Sequence, residues 1–238
     1  MSDAVRLPRA EVEVATSPKW IRVFFGGEMI ASSKRTRLKR GRPITYFFPR
    51  EDVKTEYLAE AGGGKTTTWT VQVGDAVAER AAWSHEDDPH LAGHIAFKWH
   101  EMDAWFEEDE EIHVHPRDPY VRLDTVRSSR HVRVVIDGET VAETRRPVLL
   151  FETGLATRYY IPKVDVRMDL LVPSDTHTGC PYKGQASYYS VKVGQALAED
   201  VVWYYPFPEP EVAKIQGLLC FYQEKVDEFY VDGEQWSD

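Results

Sequence analysis

The chain has 238 residues, 42% of them hydrophobic, and a net charge of −10 from 29 basic and 39 acidic side chains. That length suits one large domain or two medium ones, and the acidic balance argues against a general electrostatic grip on nucleic acid or anionic lipid. Two cysteines, Cys180 and Cys220, are too few for a disulfide framework or a cysteine-built zinc site.

Residues 1–19 read as a charged tail without an apolar core, and no later apolar run is long enough for a bilayer. The expectation is a cytoplasmic protein with no membrane and no nucleic-acid partner. From Ile21, IRVFFGGEMIASSKRTRL alternates apolar and polar residues around Gly26-Gly27, a pair that supplies the positive φ of a tight hairpin. TYFFPREDV follows as a strand with a short helix after Pro49.

The stretch AGGGKTTTWTVQV, from Ala61, has the Gly64, Lys65 and Thr66 of a phosphate-binding loop. The first glycine of G-x-x-x-x-G-K-[ST] is replaced by Ala59, and the residues after Lys65 are β-branched or aromatic where that loop requires a helix. It is therefore read as a short connection into a strand beginning near Thr67, with a further turn at Gly74. Pro89 and Gly93 suit the start and stop of a short helix in DDPHLAG, and the acidic run Glu107 to Glu111 suits a solvated edge. Residues 112–130, IHVHPRDPYVRLDTVRSSR, are too rich in aromatic, aliphatic and arginine side chains for a flexible spacer, and they are expected to pack along an interdomain groove.

The remainder repeats the first part in the same order. VRVVIDGETVAETRRPVL matches the first hairpin, pairing Arg22 with Arg133, Gly27 with Gly138, Ala31 with Ala142 and Arg35 with Arg146. RYYIPKVDV matches TYFFPREDV, YYSVKVGQALAEDVVW matches WTVQVGDAVAERAAW, and GLLCFYQEKVDEFY matches GHIAFKWHEMDAWF. Short helices are expected after Pro162 and in PEPEVAKIQG. The economical reading is two homologous, mainly β domains, residues 20–111 and 131–238, joined by the packed linker.

The copies differ most between Leu171 and Val191, which is longer than its counterpart Leu58 to Val71 by an insertion in PSDTHTGCPYKGQASYYSV. There the chain resembles the family called domain of unknown function 427, sometimes labelled nucleotidyltransferase-like. The resemblance rests on VRVVIDGETVAETRRPVLLFETG, RYYIPKVDV, TGCPYKGQASYYSV, VVWYYPFPEP and FYVDG, and the first copy resembles the same family without the Cys-Pro-Tyr-Lys-Gly run. It implies a β-rich domain of bent sheets, akin to the β-tent group, and leaves activity and cofactor unknown.

Three functional readings are open. Cys180, with Lys183 favouring its thiolate and His177 as base, has the residue types of a cysteine enzyme acting on a carbonyl or phosphoryl substrate; equally, Cys180 fits as a small packed residue in a turn. Arg146, Glu152, Arg158, Tyr160 and Asp165, with Tyr182 and with Arg117 and Tyr120 from the linker, have the makings of a pocket for a small polar or anionic ligand; equally, they fit a solvated face with ion pairs. His113-x-His115, with His85, His90, His94 and His100, lacks a compact ligand pattern and gives no metal expectation. Cys220, among Leu218, Leu219 and Phe221, is assigned to the core. A scaffold without a small-molecule site is the third alternative.

Overall fold

A computed structural model describes residues 13–41 and 43–237, which divide into two compact units, 13–118 and 119–237. Among these residues no helix is long and apolar enough to cross a membrane.

The first unit contains β1 (Val14–Thr16), β2 (Ile21–Phe25), β3 (Glu28–Ser33), β4 (Arg37–Lys39), β5 (Thr45–Pro49), β6 (Leu58–Gly62), β7 (Thr67–Val73), β8 (Ala76–Ser84), β9 (His94–Phe97), β10 (Ala104–Glu107) and β11 (Glu110–Glu111). The second contains β12 (Leu123–Arg127), β13 (Val132–Ile136), β14 (Glu139–Thr144), β15 (Val148–Glu152), β16 (Arg158–Ile161), β17 (Leu171–Cys180), β18 (Gly184–Val193), β19 (Ala196–Tyr204), β20 (Leu219–Phe221), β21 (Glu228–Val231) and β22 (Glu234–Gln235). A seven-stranded sheet in the first unit runs β1-β4-β5-β9-β8-β7-β6, and its counterpart runs β12-β15-β16-β20-β19-β18-β17. The smaller sheets are β11-β10-β2-β3 and β14-β13-β21-β22. Read from β3 and β14, the smaller sheets match strand for strand, so the duplication seen in the sequence is a duplication of topology.

Each unit is a sandwich because its strands alternate. Ile21, Val23 and Phe25 are buried while Arg22 and Phe24 between them are only half-buried, and the buried set packs on Tyr46, Phe48, Val71 and Phe97 of the larger sheet. In the second unit Val132, Val134 and Ile136 meet Tyr159, Ile161, Val191 and Phe221 in the same manner. Short 3-10 turns follow Pro49 and Pro162, at Arg50–Asp52 and Lys163–Asp165, and another spans Pro210–Ile215. The helix expected at DDPHLAG is instead a single turn closed by Ala92 N donating to Asp88 O at 2.8 Å, ended by Gly93 at φ +71°. Two segments outside the expected repeats join the larger sheets at an edge: β1 pairs with β4, and β12, within residues 112–130, pairs with β15.

The hairpin between β2 and β3 turns on Gly26 and Gly27, at φ +59° and +78°. A Cβ on Gly26 would stand 2.8 Å from Cβ of Val73, whereas one on Gly27 would meet nothing within 4 Å. Both Gly→Ala changes incur left-handed strain of about 1–2 kcal/mol, and Gly26→Ala adds an overpacking cost of about 1–3 kcal/mol. Denaturant titration is expected to rank Gly26→Ala clearly below Gly27→Ala in stability; equal losses would contradict the close approach of the hairpin to Val73.

Candidate functional site

In β16 the alternation sends Tyr159 and Ile161 into the sandwich core and Tyr160 to the other face of the sheet. That second face carries Val148, Leu150, Tyr188, Trp203, Tyr205 and Cys220, and is covered by Val212 and Ile215 of the Pro210–Ile215 turn. Lys214 Nζ fastens the turn by donating to Thr125 O of β12 at 2.8 Å. Two polar contacts are made here: Trp203 Nε1 donates to the Tyr160 hydroxyl at 3.2 Å, and the Thr178 and Tyr188 hydroxyls are 2.8 Å apart. Burial raises the pKa of the Tyr160 and Tyr205 hydroxyls and pushes the Cys220 thiol up to about 12. Arg158 makes two hydrogen bonds to Glu224, at 2.7 and 2.8 Å, and these hold the Glu224 carboxyl below its ordinary value.

The inserted loop forms the tip of the β17–β18 hairpin. Cys180 pairs with Gly184 across a turn of Pro181, Tyr182 and Lys183. The tip is held down by Glu209 N donating to Lys183 O at 3.1 Å, and Gly184, at φ +95°, lies so close that a Cβ would be 3.0 Å from Phe207 O. Lys183 donates to Glu152 at the end of β15, and both side chains are nearly covered, at 13% and 11% exposure. His177 and Cys180 are three residues apart on one regular stretch of ladder, so they point to opposite faces. His177 is exposed, with Nδ1 2.9 Å from Asp175 O. The hairpin therefore brings Lys183 to Glu152 and leaves His177 away from Cys180. Tyr182 is half-buried in the turn.

Arg146 and Asp165 stand elsewhere. The bridge between Ala142 and Val166 holds the Lys163–Asp165 turn against β14, and Arg146 makes two hydrogen bonds to Asp165, at 2.9 and 2.8 Å, with Thr144 Oγ1 donating a third at 2.8 Å. The hydrogen bonds from Arg146 depress the Asp165 pKa. The first unit repeats the device with Arg35, Asp52 and the bridge between Ala31 and Val53. Here the second unit has an open cavity of about 240 Å³ lined by His131, Glu143, Thr144, Arg145, Arg146 and Asp165. His131 Nε2 is 2.7 Å from Glu143 Oε1. The exposed Arg145 guanidinium has no hydrogen-bond or ion-pair partner among the described residues.

Two of the sequence candidates, Arg146 and Asp165, thus line the cavity, while Glu152, Arg158 and Tyr160 belong to the second sheet face. His131, Glu143, Thr144 and Arg145 were not singled out from sequence; the available signal was His131, standing where the repeat has Trp20. Arg117 is half-buried and Tyr120 exposed, on either side of the division between units. Among the described residues no three His, Cys, Asp or Glu side chains are grouped to hold a metal; His113 Nδ1 lies 3.5 Å from Glu111 and His115 Nδ1 2.8 Å from Pro116 O. One family model, described as domain of unknown function (DUF427), matches the chain twice, over residues 13–108 and 124–232. No curated protein matches it.

Because the Asp165 carboxylate is favoured in the folded state, its contribution is fully present above the unfolded pKa of about 3.9 and is lost as pH falls through the lower folded value. Asp165→Asn is therefore expected to be less stable than wild type by a constant margin above about pH 5, and urea titrations should show that margin shrinking as pH is lowered. A margin unchanged into acid would contradict the pairing. The two thiols separate just as plainly: with Cys220 fully buried and Cys180 half-buried, a chromogenic disulfide reagent is expected to modify Cys180 in the native protein and Cys220 only after unfolding, followed by absorbance and confirmed on Cys180→Ser.

Proposed function

The chain belongs to the DUF427 family of domains of unknown function, and we propose that its second unit binds a small polar or anionic ligand in the cavity between His131 and the Arg146–Asp165 pair. One observation carries this reading: Arg145 and Arg146 bring two guanidinium groups to one open cavity, and only Arg146 is neutralised by a carboxylate of the chain. A guanidinium offers a planar fork of donors that matches the two oxygens of a carboxylate or phosphate. The volume of about 240 Å³ is below the range of about 300–1,000 Å³ usual for drug-sized ligands, which favours a small molecule over a nucleotide. The cysteine chemistry has weaker support, since Lys183 is committed to Glu152 and His177 faces away from Cys180.

Thermal unfolding of the full chain in phosphate, acetate or succinate, against sodium chloride at matched ionic strength, tests the reading. A ligand present at ten times its Kd stabilises the native state by about 1.4 kcal/mol, a readable rise in Tm. Arg145→Ala, which removes an exposed side chain, is expected to keep the wild-type Tm in chloride and lose the rise. No rise with any anion, or an equal rise in the variant, would sink the proposal.

A further inference from the structure

The duplication supplies an internal reference for the cavity. Trp20 and His131 hold equivalent positions, each immediately before the strand that leads its unit's small sheet. Trp20 N donates to Glu108 Oε1 and Glu108 N to Trp20 O, both at 2.8 Å. His131 N donates to Asp232 Oδ1 at 2.9 Å and Asp232 N to His131 O at 2.8 Å. Glu108 and Asp232 share the left-handed backbone this needs, at φ +51° and +54°. The register of the next strand is also the same, Ile21 facing Ser33 and Val132 facing Thr144. Ser32 therefore corresponds to Glu143, Lys34 to Arg145 and Arg35 to Arg146.

In the first unit this place is filled by the chain itself. The Trp20 indole donates from Nε1 to Ser32 Oγ at 2.9 Å, and the cations of Arg22 and Lys34 lie 4.3 and 5.1 Å from its ring centre. In the second unit a smaller imidazole stands there, drawn to Glu143. Arg133, the counterpart of Arg22, is over the Tyr230 ring at 4.4 Å, as Arg22 is also over Phe106 at 5.1 Å. Arg145, the counterpart of Lys34, is left without a ring beneath it, and the cavity opens beside it.

We propose that this cavity takes a planar heteroaromatic molecule with a ring N–H and an anionic substituent, seated beside His131 in the space that the smaller imidazole leaves open. This rests on the small-ligand reading above and names the class of ligand. The ring lies under the Arg145 guanidinium, replacing the cation–π contact that Lys34 makes with Trp20. Its N–H donates to Glu143 Oε2, since Oε1 is engaged by His131 Nε2, and the charged acceptor strengthens that bond. The anionic substituent is met by Arg145 and by the His131 edge of the cavity. The available volume suits one ring or a fused pair.

The test is a titration of the full chain, labelled with nitrogen-15, with indole-3-carboxylate, 1-naphthoate and acetate. Indole-3-carboxylate is expected to bind at least about tenfold more tightly than either other probe, shifting the amides of residues 131 and 143–146. His131→Trp, which gives the second unit the first unit's own ring, is expected to retain Tm and weaken the indole probe by at least about tenfold. The double variant His131→Trp, Glu143→Ser restores the first unit's full pairing, and it carries the same expectation should the single variant be destabilised. Acetate binding as tightly as indole-3-carboxylate at these residues would overturn the ring while leaving the anion reading intact. Binding by naphthoate equal to the indole would overturn the N–H contact, an unchanged affinity in both variants would overturn the site, and no binding by any of the three would overturn both readings.

Discussion

A seven-stranded sheet has two faces, and the four-stranded sheet packed on it covers only one. The insertion that distinguishes the second unit follows from how the second face is kept from water. The first unit does so modestly, with Phe47, Leu91 and Ala96 buried and Val14 and Trp83 against them. The second unit has wider aromatic surface to hide, with Tyr160 where the first has Phe47 and Cys220 where it has Ala96. It therefore adds the Pro210–Ile215 turn and folds the tip of the β17–β18 hairpin inward, fastened from Lys183 to Glu152. A nearly covered ion pair is weak evidence of net stabilisation, yet removing one partner strands the other, so the pair fixes where the tip lies.

This recasts the Cys-Pro-Tyr-Lys-Gly run. From sequence alone a cysteine, a lysine and a histidine within a few residues read as a reactive site. On a strand, spacing decides direction: positions three apart diverge, and Lys183 reaches across to Glu152 from a tip where Gly184 adopts a left-handed backbone at close quarters with Phe207. The shorter first-copy connection, Gly63 to Thr66, joins β6 to β7 and has no such clasp. Its glycines close a hairpin, and the strand after Lys65 excludes the helix a phosphate loop would need.

What was legible in the sequence was local or repeated. The Gly26-Gly27 and Asp137-Gly138 turns announce themselves because few residue pairs tolerate positive φ twice in succession. The coincidence of Asp in the two copies has a direct cause, since Asp52 and Asp165 receive Arg35 and Arg146 beside the bridges at Val53 and Val166. The partners of Arg158 and Lys183 were not legible. Glu224 and Glu152 are 66 and 31 residues distant, and only strand order brings them near. Strand β12 was hidden for a similar reason: an edge strand is stabilised by one neighbour, and its residues show little alternation of their own.

Duplicated domains diverge where a change in one copy is tolerated because the other still does the original task, or where a change creates something new. The two differences between these units fall on opposite sides of that line. The hairpin insertion comes with an internal partner for its lysine, Lys183 being answered by Glu152 within the unit. The exchange of Trp20 for His131 is not answered in the same way: the imidazole finds Glu143, but the cation that would lie over the ring keeps no partner, and a cavity opens beside it. At the rim of this cavity the backbone hydrogen bonds, the strand register and the Arg–Asp pair all persist, while the indole gives way to an imidazole and Ser32 to Glu143. The surrounding framework has been retained around an opening, and that pattern directs attention to His131 and Arg145 ahead of the more conspicuous cysteine.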